Sequence, residues 1–382
     1  MKRFDLAIIG GGMVGGALAL SMAKTAELTI AIIEPNSLNP ALGKDFSLRV
    51  SAITPSSQAF LERLGVWDLL KRKQAFTQTK VWDQNSHGTL DFAADEAKNL
   101  GHIVENDAIQ AALFEALKNT KVQNICAKLQ GFEKNNSGYK LQFDDGTNAE
   151  CGLLVGADGA NSRVRDLAGI KFSATDYQQQ AIICNIRSEK SFENTTWQRF
   201  LADGIIALLP LADRQAAVVW SAKNALADEL LGLPKTDFAN RLAAGVECRF
   251  GEFKVLSEIG AFPLIARSSK DYVKPNLALI GDAAHNIHPL AGQGVNLGFA
   301  DVQELSKQLA ASNQNIGDFA TLRIYARARR LDNELMAKTM SGLDWIYKEN
   351  SEPIRWLRGF GMNFINQNPT LKAFFQKQAS GG

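Results

Sequence analysis

The motif Gly10-x-Gly12-x-x-Gly15 follows the apolar run Phe4 to Ile9 and precedes a helical pattern from Met13 to Lys24. Glycines at this spacing suit a strand that turns tightly into a helix whose first N–H groups face a phosphate. The next apolar run, Thr29 to Glu34, completes a strand–helix–strand unit, so a parallel nucleotide-binding sheet is expected. Glu34 stands nineteen residues after Gly15. A carboxylate there accepts from a ribose diol and repels an added ribose phosphate, favouring FAD or NAD over NADP. The fingerprint alone leaves FAD and NAD open.

Further elements follow from turn and cap chemistry. Thr54-Pro55 reads as a helix start with Gly65 as its stop, and Asn106-Asp107 opens a helix reaching Lys118. Short strands are expected at Lys80 to Asp83 and His87 to Phe92. Asn135-Asn136-Ser137-Gly138 reads as a hairpin turn, and Cys151 to Gly156 as a strand of the first sheet. From Tyr177 to Leu264 the pattern turns β-rich, at Ala181 to Ile186, Ile205 to Pro210 and Ala216 to Trp220, with helices between. Asn276 to Ile280 then returns to the first sheet. The expected fold is mixed α/β: residues 1–176 and 265–345 form a Rossmann-like cofactor domain in two parts. Residues 177–264 form an inserted antiparallel substrate sheet, and 346–382 a helical C-terminal segment.

A chain of 382 residues can bury a large core, and a net charge of +2 gives no electrostatic reason to expect nucleic acid. Cys126, Cys151, Cys184 and Cys248 are widely spaced and read as buried free thiols. Met1-Lys2-Arg3 runs straight into a strand, leaving no room for a cleavable signal, and no charge-free apolar run reaches the ~18 residues of a membrane span. A cytoplasmic protein is expected. In the segment Pro353 to Lys377, Trp356, Leu357, Phe360 and Phe364 accompany Arg355, Arg358 and Lys372. Such a segment packs on the protein's own sheet, or rests on an anionic membrane's inner face or a partner in a biosynthetic complex.

Three separated motifs carry a family resemblance: the fingerprint at Gly10, the run Gly156-Ala157-Asp158-Gly159-Ala160-Asn161-Ser162-Arg163-Val164-Arg165, and Gly281-Asp282. Together they resemble the signatures of single-component flavin aromatic hydroxylases. The stretch from His288 through Pro289, Gly292, Gln293 and Gly294 to Asp301 is similar to the narrower signature of the ubiquinone-biosynthesis hydroxylases. The likeness covers nearly the whole chain and implies a para-hydroxybenzoate hydroxylase-like fold.

It also implies FAD as the cofactor, NAD(P)H and O2 as cosubstrates, and a polyprenylated phenol or quinol as the substrate to be ring-hydroxylated. Gly10, Gly12 and Gly15 would admit the FAD pyrophosphate, Glu34 the adenosine ribose, and Asp282, beside Gly281, the ribityl hydroxyls. Arg49 matches a flavin-contacting arginine. Asn106 stands where relatives often carry Gln or Arg, and Asp158-Gly159 belongs to the second motif. Gly292-Gln293-Gly294 would open a helix whose Val295 and Asn296 N–H groups face the flavin pyrimidine edge, where a helix N-terminus stabilises negative charge. Pro289 and Leu290 would line the reaction cavity, with no side-chain acid or base assigned.

Met13 to Leu20, Thr196-Trp197-Gln198 and Ser341 to Asp344 look most like the member acting on the demethoxy-quinol intermediate, a 2-polyprenyl-3-methyl-6-methoxy-1,4-benzoquinol. Gly101 to Asn106 is shared with a member acting at another ring position. A flavin oxidase or dehydrogenase, and a non-catalytic flavoprotein scaffold, are the competing readings. His285 and His288 lack further ligands nearby and Pro289 breaks a helix there, so no metal is assigned.

Overall fold

In the computed structural model, four runs of apolar residues become adjacent parallel strands. The structure describes all residues except 37–39, 85–87, 95–97, 287–293, 313–314, 349–365, 367 and 369–382. Strand Lys2–Ile9 lies between Ile30–Ile33 on one side and Asn148–Gly156 on the other; Leu277–Leu279 and Gln123–Ile125 extend the parallel order outwards. Their register decides where a site can form. Ile9 is level with both Ile33 and Gly156, and Gly156 with Leu279. The chain therefore leaves four neighbouring strands at one level, with Gly10, Glu34, Ala157 and Ile280 at the mouth.

The helices in chain order are α1 Met13–Thr25, α2 Pro55–Arg63, α3 Asn106–Leu117, α4 Arg163–Leu167, α5 Asn224–Leu231, α6 Lys235–Gly245, α7 Gly294–Ala310 and α8 Phe319–Lys348. Leu6 and Ile8 of the first strand, Leu18 and Leu20 of α1, Ile109 and Leu113 of α3, and Phe299, Val302 and Leu305 of α7 share one core. Thr54 accepts from the Ser57 N–H at the start of α2, as its position before Pro55 predicts. Gly65 ends that helix at φ +70°, with the Gly65 and Val66 N–H groups returning to Glu62 and Leu61.

A second sheet of nine strands is antiparallel except where Thr195–Leu201 pairs in parallel with Gln78–Asp83. It draws on more chain than residues 177–264. Gln78–Asp83 and Thr89–Ala93 join one edge, and Phe172–Ser188 and Gly260–Ser269 run through the expected boundaries as continuous strands. The register shifts between Asp176 and Gln180, so the compositional change at Tyr177 marks a bulge in one long strand. Similarly, α8 continues through residue 345.

Alternation gives the second sheet two buried faces. Ile206 and Leu208 join Val218 and Trp220 under Phe238 and Leu242 of α6, whereas Leu209, Leu211 and Ala217 pack with Ala52, Phe76 and Ile103. The latter three belong to a small antiparallel sheet of Val50–Ile53, Gly101–Glu105 and Gln74–Phe76. Cys151 and Cys184 are buried as expected, and burial pushes both thiols up to about 12, but Cys126 and Cys248 are exposed because each lies on a connecting segment.

Thr54→Ala removes the α2 cap and should lower stability by about 1 kcal/mol, read as a lower midpoint in urea with an unchanged slope.

Candidate functional site

The glycines of the fingerprint divide by what surrounds them. A Cβ on Gly10 would stand 2.4 Å from the Ala157 carbonyl oxygen, and Gly10 also holds φ at +105°. A Cβ on Gly15 would stand 2.0 Å from the Gly10 carbonyl oxygen. Both glycines are required for α1 to sit on the sheet. A Cβ on Gly12 would meet no atom of the described residues within 4 Å, and its φ of −68° suits any residue. Packing does not explain Gly12; open space at the N-terminus of α1 does, and a diphosphate fits there.

Glu34 continues the neighbouring strand to this loop. Its Oε2 accepts from the Gly11 N–H at 2.9 Å and its Oε1 from the backbone and side-chain N–H groups of Asn36, at 3.1 and 3.0 Å. The half-buried carboxylate is thereby fixed beside the glycine loop, with acceptor capacity remaining for a ribose diol.

Asp282 follows the end of strand Leu277–Leu279. Its side chain is solvent-accessible yet surrounded by protein atoms, which places it on the wall of a recess. Burial raises its carboxyl above the ordinary value and Asp301 adds to this, while His285, Arg49 and Arg267 offset only part. Arg49 lies across this recess with its guanidinium 5.3 Å from the Phe262 ring centre. The segment leading to it is pinned by Ser47, whose N–H donates to Glu105 at 2.8 Å and whose hydroxyl donates to Asp107 at 2.8 Å, and by Asn185, which donates to the Phe46 carbonyl at 2.7 Å. Asn106 accepts from the Ser51 hydroxyl at 2.7 Å, so its amide oxygen is engaged within the protein.

The second motif also turns inward. Asp158 accepts from the Ser162 hydroxyl at 2.5 Å and from the Val164 N–H at 3.1 Å, capping α4. Burial raises its carboxyl despite these bonds. Its carboxylate therefore shapes the loop, and the neighbouring Gly159, at φ +80° with open space around it, is the member of the pair that leaves room for a ligand. Arg165 is buried, stacks over Phe172 and reaches the Ala283 carbonyl at 3.4 Å, next to Asp282.

At the start of α7, Asn296 donates to the Ala52 carbonyl at 2.8 Å and accepts from the Thr54 N–H at 3.1 Å. These bonds fix the first turn, with Val295, against the small sheet. A Cβ on Gly294 would meet no atom of the described residues within 4 Å. Pro289, Leu290, Gly292 and Gln293, with His288, lie outside the described residues. A separate cavity of about 930 Å³ at the opposite end of α1, lined by Leu20, Lys24, Leu28, Leu64, Asn119 and Val122, touches none of the residues expected to bind the cofactor.

The sequence reading did not single out the support beneath Asp282. Asp301 on α7 is fully buried and accepts from the Gly281 N–H at 2.9 Å, His285 Nε2 at 2.6 Å and Arg329 Nε at 2.8 Å. Burial would raise its carboxyl, but His285 and Arg329 outweigh that and hold it below the ordinary range. A carboxylate on the apolar stripe with Val302 and Leu305 was the available signal. Arg329, one of several arginines in Ala326 to Arg330, carried none.

The space at Gly12, the half-buried carboxylate of Glu34 and the acid Asp282 lie at the ends of neighbouring strands, and they suit a flavin adenine dinucleotide. The model of the family described as "FAD binding domain" matches residues 3–339. The 3-demethoxyubiquinol 3-hydroxylase of Escherichia coli (strain K12) is 36% identical over 389 residues, covering 99% of this chain and 98% of that protein. The mitochondrial ubiquinone biosynthesis monooxygenase COQ6 of Mus musculus is 32% identical over 424 residues, covering 97% and 89%. The crystal structure of p-nitrophenol 4-monooxygenase PnpA from Pseudomonas putida DLL-E4 superposes with a TM-score of 0.81 at 18% identity over 100% of this chain and 99% of that one, so the fold is shared. The chain belongs to this FAD-binding family, as an FAD-dependent monooxygenase using NAD(P)H and O2. The resemblance to the ubiquinone-biosynthesis hydroxylases is borne out.

Two substitutions separate packing from ligand space. Gly12→Ala should leave the flavin-free protein as stable or about 0.5 kcal/mol more stable, while weakening FAD binding in a fluorescence-quenching titration. Gly15→Ala should yield little folded protein. The raised pKa of Asp282 means its ionised form opposes folding at neutral pH. Asp282→Asn should therefore raise the melting temperature of flavin-free protein at pH 7 yet lower FAD occupancy. The thermal gain should shrink as the pH falls through the raised value of Asp282 and vanish below 3.8, the ordinary aspartate value, where wild type is protonated in both states.

Proposed function

We propose that this protein hydroxylates the ring of a polyprenylated benzoquinol in ubiquinone biosynthesis, and that its substrate is a demethoxyubiquinol-type quinol. The observation that carries the reading is 36% identity over 99% of the chain to a hydroxylase named for that substrate, together with the recess at Asp282. FAD when bound supplies the redox chemistry, taking reducing equivalents from NAD(P)H and delivering one oxygen atom of O2 to the ring while the other leaves as water.

The chain's own groups hold and orient the cofactor. Gly10, Gly12 and Gly15 place the N-terminus of α1 at the pyrophosphate, Glu34 accepts from the adenosine ribose and Asp282 from the ribityl hydroxyls. Arg49 borders the flavin, and the N–H groups of Val295 and Asn296 stabilise negative charge on its pyrimidine edge. Gly159 leaves room for the cofactor, and Gly281, Asp158 and Asn106 support its loops.

The division into a cofactor domain of residues 1–176 and 265–345 and a substrate domain of 177–264 is part of this reading, with Gln78–Asp83 and Thr89–Ala93 added to the latter. The prenyl chain runs over the inward face of the substrate sheet. Leu209 and Leu211 on that face continue to Ile205, which packs with Phe200, Val81 and Leu90. Ile183 and Leu48 lie at 3.5 and 3.8 Å from the position a Cβ on Gly260 would take, at the entrance to the same face.

The segment Pro353 to Lys377, expected to meet a membrane or a partner, lies outside the described residues apart from Asn366 and Asn368; among the described residues, a peripheral seat at the inner face of an anionic membrane fits the outer side of α8. Exposed Ile324 and Leu331 are flanked there by exposed Arg323, Arg327 and Arg330. No helix among the described residues is long and apolar enough to cross a membrane.

Turnover under ¹⁸O2 with NAD(P)H and a short-chain demethoxyubiquinol should give a product carrying one ¹⁸O atom. Oxidised substrate without label would instead establish an oxidase. Ile205→Glu should raise KM for a long-tailed quinol and leave that for a tail-less analogue nearly unchanged; equal effects on both would remove the tail from this face.

A further inference from the structure

We infer that Asp301, through its three hydrogen bonds, is a positioning residue that sets the cofactor-binding geometry of Asp282. The inference rests on the proposed role of Asp282 as acceptor for the FAD ribityl hydroxyls.

Asp301 hooks both ends of the turn that carries Asp282. One oxygen, Oδ2, takes the Gly281 N–H just before Asp282 and the His285 ring nitrogen just after it. The other, Oδ1, takes Arg329 Nε from α8. By contrast, the Asp282 carboxylate has a long contact of 3.4 Å from Asn286. Its place is set by the backbone that holds it.

The turn is also the meeting point of the elements that face the cofactor. A Cβ on Gly298 of α7 would stand 2.5 Å from Val14 of α1, and one on Gly281 would stand 3.2 Å from the same side chain. Asp301 follows Gly298 by three residues, about one helical turn. Its bond to Gly281 thus joins α7 and the ribityl-side turn against α1, whose N-terminus faces the pyrophosphate. His285 carries the connection onward, because His285 and Asn286 pair with Ser268 and Arg267 at the edge of the substrate sheet.

Arg329 makes the arrangement self-consistent. It is gripped by Asp332 at 2.9 Å and Asn333 at 3.1 Å, and Asn333 reaches the Tyr272 hydroxyl at 3.4 Å. Tyr272 stacks on His285 at 5.7 Å between ring centres. Every member of the ring restrains another. An apolar core at this position would be as stable or more so; a carboxylate adds directional bonds to the cofactor turn.

The test is FAD titration of flavin-stripped, full-length variants, with melting followed by circular dichroism to measure the folded fraction. Folded Asp301→Asn should bind FAD about tenfold more weakly, since its amide has one acceptor oxygen in place of two and its NH2 must face either Arg329 or the Gly281 and His285 donors. Asp282→Asn should also weaken binding, and the double variant should be little weaker than the poorer single one, because the two residues act through one contact. Wild-type affinity in folded Asp301→Asn beside a weakened Asp282→Asn overturns the inference alone. Wild-type affinity in Asp282→Asn overturns the ribityl role and the inference with it. Additive losses assign Asp301 a structural role only and overturn the inference. Should Asp301→Asn not fold, His285→Phe removes one bond and keeps the ion pair with Arg329 and a ring against Tyr272. It should weaken FAD binding about threefold, and wild-type affinity there overturns the inference.

Discussion

The site depends on a close approach of backbone to backbone. Gly10 lies against Ala157 and Gly15 against Gly10, so closely that a methyl group at either glycine would enter a carbonyl oxygen. This approach seats α1 over the sheet with its N-terminus at the strand ends. Because the strands of Ile9, Ile33 and Gly156 end in register, Gly10, Glu34 and Ala157 emerge together. The space at Gly12 and the placement of the Glu34 carboxylate beside it are thus consequences of packing already made. A helix N-terminus carries unpaired N–H groups in any fold; here the packing directs them to a shared mouth.

Two aspartates near that mouth show how environment divides labour between identical side chains. Asp282 is on a recess wall with its carboxyl raised, whereas Asp301 is enclosed, with its carboxyl lowered by His285 and Arg329. The first has unused acceptor capacity at a site that disfavours its charge, which is the state of a group awaiting donors. The second has its donors already. A hydroxyl-bearing ligand relieves the former and cannot reach the latter.

Much of the fold was legible because it rests on local chemistry. The strand–glycine–helix unit, the Thr54 cap, the Asn135 to Gly138 turn and the return of Leu277–Leu279 each depend on residues close in sequence. The parallel pairing of Gln78–Asp83 with Thr195–Leu201 did not declare itself, because both read as ordinary strands and only their distant partners settle the edge. The site divides the same way. Gly10, Gly12, Gly15, Glu34 and Asp282 gather at one mouth, while Asp158 and Asn106 are engaged internally. A motif records that a residue type recurs with a loop shape; it does not separate the group that touches a ligand from the group that holds the loop.

That distinction matters for how the two sheets cooperate. The strand His285–Asn286 belongs to the edge of the large sheet, yet it is the immediate continuation of the turn bearing Asp282. Asp301 bonds to both parts of this continuous segment. A displacement of the substrate sheet at Gly260–Ser269 must therefore strain either the pairing with His285 or the bonds of Asp301. Arg267, which faces Asn286 in that pairing, also lowers the carboxyl of Asp282. The edge of the large sheet and the acid Asp282 are linked through covalent chain, hydrogen bond and charge within a few residues. The two sheets gain this rigidity by sharing one continuous segment, Gly281 to Asn286.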